Sequence, residues 1–277
     1  MTRARVLGTA LYGALTVGSL LWLVPVVTTF VISVVPVSQT RAGWWRAGFG
    51  DLTFGNYRRA WEQGLSHYVV NSFVITIGAV AITLVAGGMA SYALARMEFR
   101  FKRICYFLLI TTMIVPLQII LIPLLPWLRT LGLSGGGAQF LGIVLVHTAF
   151  GAGWAIFMMS SFFSDVPEEL LEAARIDGAG HFRQLRHVVL PLALPGLVSF
   201  AIIDFVFVWN DMLLGLTLLD QAHQPITVGL ANLQSPHLAQ EDLVAAGSIM
   251  AILPPVVLFA VLNRYYVRGL FAGGVKG

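Results

Sequence analysis

The stretch that decides the fold runs from residue 167 to residue 192 and reads PEELLEAARIDGAGHFRQLRHVVLPL. It is a short polar segment in an otherwise very apolar chain. Asp165 and Glu168 have the spacing of a helix-capping box, which predicts a helix beginning here. Gly178 predicts the end of that helix and a sharp turn. A second short helix is expected from His181 to His187, so the segment predicts a helix, a turn and a helix.

The composition of the whole chain indicates a membrane protein. Of its 277 residues, 57% are hydrophobic and only 11% are charged, whereas a soluble domain carries roughly 25% charged residues. Its polar side chains are therefore too few to cover a surface that faces water. The single cysteine, Cys105, excludes an intrachain disulfide and a cysteine-rich metal site. The chain has no G-x-x-x-x-G-K-[ST] phosphate loop, so it cannot itself be a P-loop ATPase.

Six apolar segments are each long enough to cross a hydrocarbon core of roughly 30 Å as a helix. They are Val6–Val35, Val69–Ala95, Ile104–Leu125, Phe140–Phe163, Val189–Leu219 and Leu243–Asn263. The sequence therefore predicts an all-α integral membrane fold with six transmembrane helices. We expect residues 1–277 to form a single transmembrane domain.

The distribution of basic residues predicts how these helices are oriented. With the N-terminus in the cytoplasm, twelve of the 17 Lys and Arg residues lie on cytoplasmic segments, as the positive-inside rule requires. The stretch from Val188 to Asn263 contains no basic residue, as expected when its connecting loop lies outside. This orientation places both termini and the 167–192 segment on the cytoplasmic side.

The 167–192 segment also resembles a known functional element. Glu-Ala-Ala at 172–174 is followed after three residues by Gly178, and after nine more by Val188, one residue and Leu190-Pro191. This spacing resembles the coupling loop of ATP-binding-cassette (ABC) importer permeases, a loop that docks on a separate ATPase subunit. The resemblance implies a coupling loop at about residues 165–188. The residues that it assigns to ATPase coupling are Glu172, Ala173, Ala174, Asp177, Gly178, Leu190 and Pro191.

Three further stretches resemble the sugar-transporting branch of these permeases, and are similar to the smaller maltose-transport subunit. They are Asn71–Arg96, Trp209-Asn210-Asp211 and Arg264–Gly277. Many relatives have Glu where this chain has Asp211. The resemblance implies a permease core at about residues 65–265 in a six-helix ABC importer permease that moves a mono- or oligosaccharide into the cytoplasm.

The same resemblance implies the cellular setting and the partners. It places the chain as a multi-pass protein of the bacterial inner membrane. It implies two ATPase subunits that bind ATP and Mg²⁺, a second permease expected to be a distinct chain, and an extracytoplasmic sugar-binding protein. No cofactor and no metal are expected in this chain itself, and no nucleic-acid partner is expected.

Polar residues in the fifth apolar segment are candidates for the substrate pathway. A carboxylate in hydrocarbon is costly enough to require a reason. At about 1.5 Å per residue, Asn210 and Asp211 lie near the outer surface, and Asp204 lies deeper. Carboxylates and amides can bind sugar hydroxyls, and Phe207 and Trp209 can stack on a sugar ring. A polar contact with another permease subunit or with the binding protein explains these residues equally well.

Three other functions compete with sugar import. The same architecture could carry an amino acid, a polyamine, a phosphate or a peptide. A carrier driven by a proton or sodium gradient could use Asp204 and His147 as a relay, but it would leave the Glu-Ala-Ala loop unexplained. A membrane enzyme is disfavoured, because no paired-carboxylate, nucleophile–base or metal-ligand spacing is present.

Overall fold

The computed structural model describes residues 2–233 and 240–274, and within these ranges it is helical with no β-strand. The predicted all-α class is therefore confirmed. The last part of the C-terminal segment quoted above, residues 275–277, lies outside the described residues. The helices are α1 (Thr2–Val34), α2 (Val37–Gly43), α3 (Gly55–Ala60), α4 (Ser66–Arg96), α5 (Lys102–Thr111), α6 (Leu117–Thr130), α7 (Ala138–Ser164), α8 (Glu168–Ile176), α9 (His181–Gln184), α10 (Leu190–Leu192), α11 (Leu194–Trp209), α12 (Leu213–Leu218), α13 (Ile226–Leu233) and α14 (Glu241–Gly274). Two π-helical turns, Trp61–Leu65 and Leu185–Val189, join α3 to α4 and α9 to α10.

Four helical stretches in the described part of the chain are long and apolar enough to cross a membrane. They are Gly8–Val34, Gly55–Arg96, Ala138–Ser164 and Glu241–Arg264. They correspond to the first, second, fourth and sixth apolar segments of the sequence. A fifth span results if the bent pair His181–Leu192 and Leu194–Trp209 is counted as one.

The prediction of one continuous third span, Ile104–Leu125, was wrong. The structure has two helices here, α5 of 10 residues and α6 of 14 residues. Pro116 adopts an extended conformation (φ −62°, ψ 127°) between them. Proline lacks an N–H group and disfavours a helical residue before it, so the helix is interrupted at this point. At about 1.5 Å per residue, α6 alone is shorter than the hydrocarbon core of roughly 30 Å.

The predicted fifth span, Val189–Leu219, was wrong in its bounds. The chain bends by 79° between Leu192 and Leu194. Pro195 cannot donate a hydrogen bond to the carbonyl of residue 191, which removes a helical bond at the bend. The straight part, α11, then ends at Trp209, and α12 is a separate short helix.

Contacts within the chain define two compact units. The first consists of Met1–Ser66 with Gly229–Leu253, and the second of His67–Val228 with Pro254–Gly277. In the first unit, the buried Asn56 side chain donates to the carbonyls of Ser33 (2.9 Å) and Val35 (2.8 Å). These bonds satisfy carbonyls at the C-terminal end of α1, which otherwise lack helical partners. Our expectation of one domain stays a prediction.

In the second unit, α4 and α7 pack closely enough to require glycine. A Cβ atom on Gly87 would lie only 2.6 Å from the Cβ of Ala155. A buried apolar cluster that includes Ala155 joins these two helices to the 165–188 segment. Its buried members are Tyr92, Ala155, Met159, Phe163, Val166, Leu171, Leu185, Val189, Ala193 and Phe200.

Candidate functional site

The loop between α7 and α11 contains the predicted helix, turn and helix. Its first helix, α8, begins at Glu168, and Pro167 occupies the N-cap position without a side-chain cap. The expected capping box with Asp165 was therefore wrong, because Asp165 instead ends α7. Acidic residues lie in the first turn of α8 and Arg175 lies in its last. This order of charges stabilises α8 through its interaction with the helix dipole.

The turn after α8 forms around Gly178, as the sequence predicts. The Gly178 backbone has a φ of +77°. Its N–H donates to the carbonyl of Arg175 (3.0 Å), and the N–H of Ala179 donates to the carbonyl of Ala174 (2.9 Å). These two bonds define a Schellman motif, which satisfies carbonyls at the helix end and favours glycine at the left-handed position.

The loop has one anchored side and one exposed side. Leu171 is fully buried in the apolar cluster. Of the residues assigned to coupling, Glu172, Ala173, Asp177, Gly178 and Pro191 are exposed, while Ala174 and Leu190 are half-buried. The residues from Glu172 to Gly178 lie together on α8 and the turn after it, whereas Leu190 and Pro191 lie on α10.

Large apolar side chains are exposed on the same loop, which the sequence reasoning missed. Ile176 is 87% exposed and Phe182 is 67% exposed. Their position in a polar loop could have indicated their exposure, because large apolar residues in a short polar segment that cannot all be buried predict a contact surface. Apolar side chains exposed beside polar ones are typical of a protein–protein docking surface.

The five candidate pathway residues do not lie together. Phe207 and Asn210 are on the exposed side of α11, whereas Asp204 (4% exposed) and Trp209 are on its buried side. The ring of Trp209 packs between those of Phe205 and Phe73, with centroids 5.5 Å and 4.9 Å away. Their role in a pathway stays a prediction.

Asp204 lies where three helices meet. Its Oδ1 atom and the Oγ1 atom of Thr83 on α4 are each 3.1 Å from the point that a Cβ on Gly151 of α7 would occupy. Its Oδ2 atom has no hydrogen-bond partner among the described residues. Asp204 therefore lies between α4, α7 and α11, and its role stays a prediction.

Asp211 has a local structural role. Its carboxylate accepts hydrogen bonds from the N–H groups of Leu214 (3.1 Å) and Gly215 (3.2 Å), and thereby caps the start of α12. Nε2 of the buried His147 lies 3.8 Å from the same carboxylate. Across residues 2–233 and 240–274, no group of three His, Cys, Asp or Glu side chains is arranged to hold a metal ion.

Comparison with known proteins assigns the chain to a family. The family model described as "Binding-protein-dependent transport system inner membrane component" matches residues 83–271. The melibiose/raffinose/stachyose import permease protein MelC of Bacillus subtilis is 36% identical, over 82% of each chain. The trehalose transport system permease protein SugB of Mycobacterium tuberculosis is 35% identical, over 92% of this chain and 93% of that one. The osmoprotective compounds uptake permease protein GgtD of Synechocystis is 34% identical, over 92% of this chain and 88% of that one.

A solved structure shares the fold. A chain of a bacterial ABC transporter involved in the import of the acidic polysaccharide alginate superposes with a TM-score of 0.80, at 24% identity. The match covers 95% of this chain and 97% of the other.

Proposed function

Because the chain belongs to the family of binding-protein-dependent transport system inner membrane components, we propose that it is the permease subunit through which an ABC importer moves a sugar. Membership of this family makes it a transport component of the membrane and not an enzyme. The names of two relatives support a sugar cargo, since they specify melibiose, raffinose, stachyose and trehalose. The relative named for osmoprotective compounds keeps a non-sugar cargo as the alternative.

The observation that carries the coupling proposal is the two-sided structure of α8. Leu171 fixes one side in the apolar cluster, while Glu172 and Ala173 leave the other side open. A small residue at 173 lets another backbone approach closely, and the exposed Ile176 and Phe182 add apolar contact area. We therefore propose this side as the surface that binds the ATPase subunit, with both chain termini in the cytoplasm.

The proposed assembly places all nucleotide chemistry outside this chain. ATP and Mg²⁺ bind to a pair of ATPase subunits, and a second, distinct permease completes the pathway. An extracytoplasmic binding protein delivers the sugar, in keeping with an alginate importer of the same fold (TM-score 0.65) that was solved with a periplasmic protein. Closure of the ATPase pair draws the α8 helices together and opens the pathway outward, and hydrolysis resets it.

The proposed pathway surface is the exposed side of α11. Ile203, Phe207 and Asn210 are exposed at helical spacing on this side, so an aromatic ring and an amide face outward together. These groups suit the stacking and hydrogen bonding that a sugar requires. Asp204 and Trp209 pack on the opposite side, and we assign them to holding α11 in place.

The experiment that tests coupling compares Glu172→Lys with Glu98→Lys. Both glutamates are exposed, and Glu98 lies in the α4–α5 connection, where its carboxylate pairs with Lys102. The tagged chain is purified from native membranes in mild detergent, together with the subunits that accompany it, and reconstituted. We expect Glu172→Lys to abolish ATP-dependent uptake of labelled trehalose, melibiose or raffinose while the chain remains in the membrane, and Glu98→Lys to leave uptake unchanged.

Three outcomes would contradict parts of the proposal. A chain that purifies without an ATPase and transports in ATP-free vesicles is a gradient-driven carrier. Loss of membrane insertion in Glu172→Lys would make Glu172 a structural residue and not a coupling residue. Uptake of an amino acid or polyamine in place of all three sugars would retain the importer and reject the sugar cargo.

A further inference from the structure

Arg96, the last residue of α4, makes three hydrogen bonds with the end of α7 and the start of α8. Its Nε atom donates to the carbonyl of Phe163 (2.8 Å), and its Nη2 atom donates to the carbonyl of Val166. Its Nη1 atom donates to Oε2 of Glu168 (3.0 Å). Terminal carbonyls of a helix lack helical partners and carry partial negative charge. One guanidinium therefore both caps α7 and holds the first residue of α8.

Glu168 extends this contact along the whole of α8. Its other carboxylate oxygen, Oε1, lies 3.0 Å from Nη2 of Arg175 in the last turn of the same helix. The carboxylate thus lies between an arginine of α4 and an arginine at the far end of α8. We name Arg96, Glu168 and Arg175 the arginine clamp.

The surroundings of the clamp favour a lasting contact over a transient surface pair. The Arg96 side chain is only 12% exposed, although those of Glu168 and Arg175 are 47% and 46% exposed. Exposed ion pairs contribute little because water screens them. Here the buried arginine also satisfies two backbone carbonyls, and Leu171 anchors the adjacent turn of α8 in the apolar cluster.

We propose that Arg96 is a positioning residue for energy coupling, which makes α4, α7 and α8 move as one body when the ATPase displaces α8. This inference rests on the proposed function, since it requires α8 to be the docking helix. Without the clamp, α8 would remain docked on the ATPase but could tilt against the membrane helices. ATP would then be hydrolysed with less sugar moved.

The planar shape of the guanidinium is essential to this role. Its N–H groups point in fixed directions and reach three acceptors, which lie on α7, on α8 and on the segment between them. A lysine keeps the charge but is a compact donor that cannot hold the same three positions together. Arg96→Lys should therefore be intermediate between the wild type and Arg96→Gln.

The test measures sugar transported per ATP hydrolysed by the reconstituted complex, with labelled trehalose, melibiose and raffinose as probes. The variants are Arg96→Gln, Arg96→Lys and Glu168→Gln. The matched controls are Glu98→Gln in the α4–α5 connection and Arg103→Gln in the first turn of α5, which remove the same charges from exposed positions. We expect Arg96→Gln to lower the ratio about five- to tenfold, as loss of a partly screened charged network predicts. The controls should keep the wild-type ratio.

Two additional measurements separate positioning from folding. The amount of ATPase that co-purifies with Arg96→Gln should match the wild type, while amide hydrogen exchange in α8 becomes faster. The double variant Arg96→Gln/Glu168→Gln should lose no more than the worse single variant, because residues of one network are not additive.

The outcomes distinguish the clamp from the proposed function. A ratio in Arg96→Gln equal to that in Arg103→Gln overturns the clamp, and so does a parallel loss of hydrolysis and transport with loss of bound ATPase. The proposed function fails instead if the wild-type chain brings no ATPase with it, or if Glu172→Lys transports normally.

Discussion

Replacing Gly178 with alanine tests whether the turn after α8 depends on a left-handed backbone. The φ of +77° costs an L-amino acid about 1–2 kcal/mol. A Cβ at this position would meet no atom within 4 Å, so no steric clash contributes. Alanine also restricts the unfolded chain and so recovers roughly 0.4–1 kcal/mol. The net expectation is that Gly178→Ala destabilises the helix and turn by about 1 kcal/mol.

The same turn offers a matched control in Gly180. Its backbone has ordinary angles (φ −69°, ψ 170°), and a Cβ there would also meet no atom within 4 Å. Gly180→Ala should therefore cost at most about 0.5 kcal/mol, since alanine is only a poorer N-cap for α9. Gly178→Asn should be milder than Gly178→Ala, because asparagine tolerates the left-handed region better.

Amide hydrogen exchange of α8 in the purified complex provides the assay. A loss of about 1 kcal/mol should raise the exchange rate about fivefold, provided that α8 opens as a local unit. The ratio of sugar moved to ATP hydrolysed should fall in the same variant. If Gly178→Ala and Gly180→Ala exchange at the same rate, the positive φ does not stabilise the loop and the reasoning is refuted.

Two further predictions concern burial and charge. Leu171→Ala removes a fully buried side chain and should cost about 2–5 kcal/mol; thermal denaturation should show this loss, while the half-exposed neighbour Leu170→Ala stays within about 1 kcal/mol. The pKa of Asp220 is lowered from its ordinary value of 3.8 by hydrogen bonds from His223 and then Gln139. A carboxyl group whose pKa is lowered by folding stabilises the folded state at pH values above its pKa in the unfolded chain, and this stabilisation is lost as the pH falls through its pKa in the folded chain. The denaturation temperature should therefore drop more between about pH 5 and about pH 3 in the wild type than in Asp220→Asn. Identical pH profiles would contradict that assignment.

The parts of the fold that the sequence predicted depend on local patterns. The long apolar runs of α1, α4, α7 and α14 are sufficient to identify spans, because length and hydropathy are properties of one segment. The turn at Gly178 is equally local, since the Schellman motif involves residues 174–179 only. These features could be predicted correctly because they do not depend on contacts between distant parts of the chain.

The errors arose where composition does not determine geometry. The hydropathy of the apolar run that contains Pro116 does not show whether the helix continues through the proline or breaks there. The length of the fifth segment concealed both the bend before α11 and the end of that helix at Trp209. The polarity of Asp211 is visible in the sequence, whereas its hydrogen bonds to the α12 backbone are not; its role in a pathway stays a prediction.

The anchoring of α8 could not be predicted, because Arg96 and Glu168 are 72 residues apart. In the sequence, Arg96 is one of the basic residues on the cytoplasmic side and the last residue of the Asn71–Arg96 stretch. A charge at the end of a membrane helix satisfies the positive-inside rule whatever it contacts. The pattern therefore gave no reason to connect this arginine with the coupling loop.

The short length of α8 explains why it needs these distant contacts. A helix of nine residues is too short to be stable alone in water, where about 12–15 residues are marginal. Its rigidity must therefore come from Leu171 beneath it and from the arginine clamp at its ends. In the proposed function, docking therefore depends on Glu172 of α8, and transmission depends on Arg96 at the end of α4. Substitutions at the exposed Glu172 should affect how the ATPase acts on the chain, whereas those at Arg96 should affect what the membrane helices do in response.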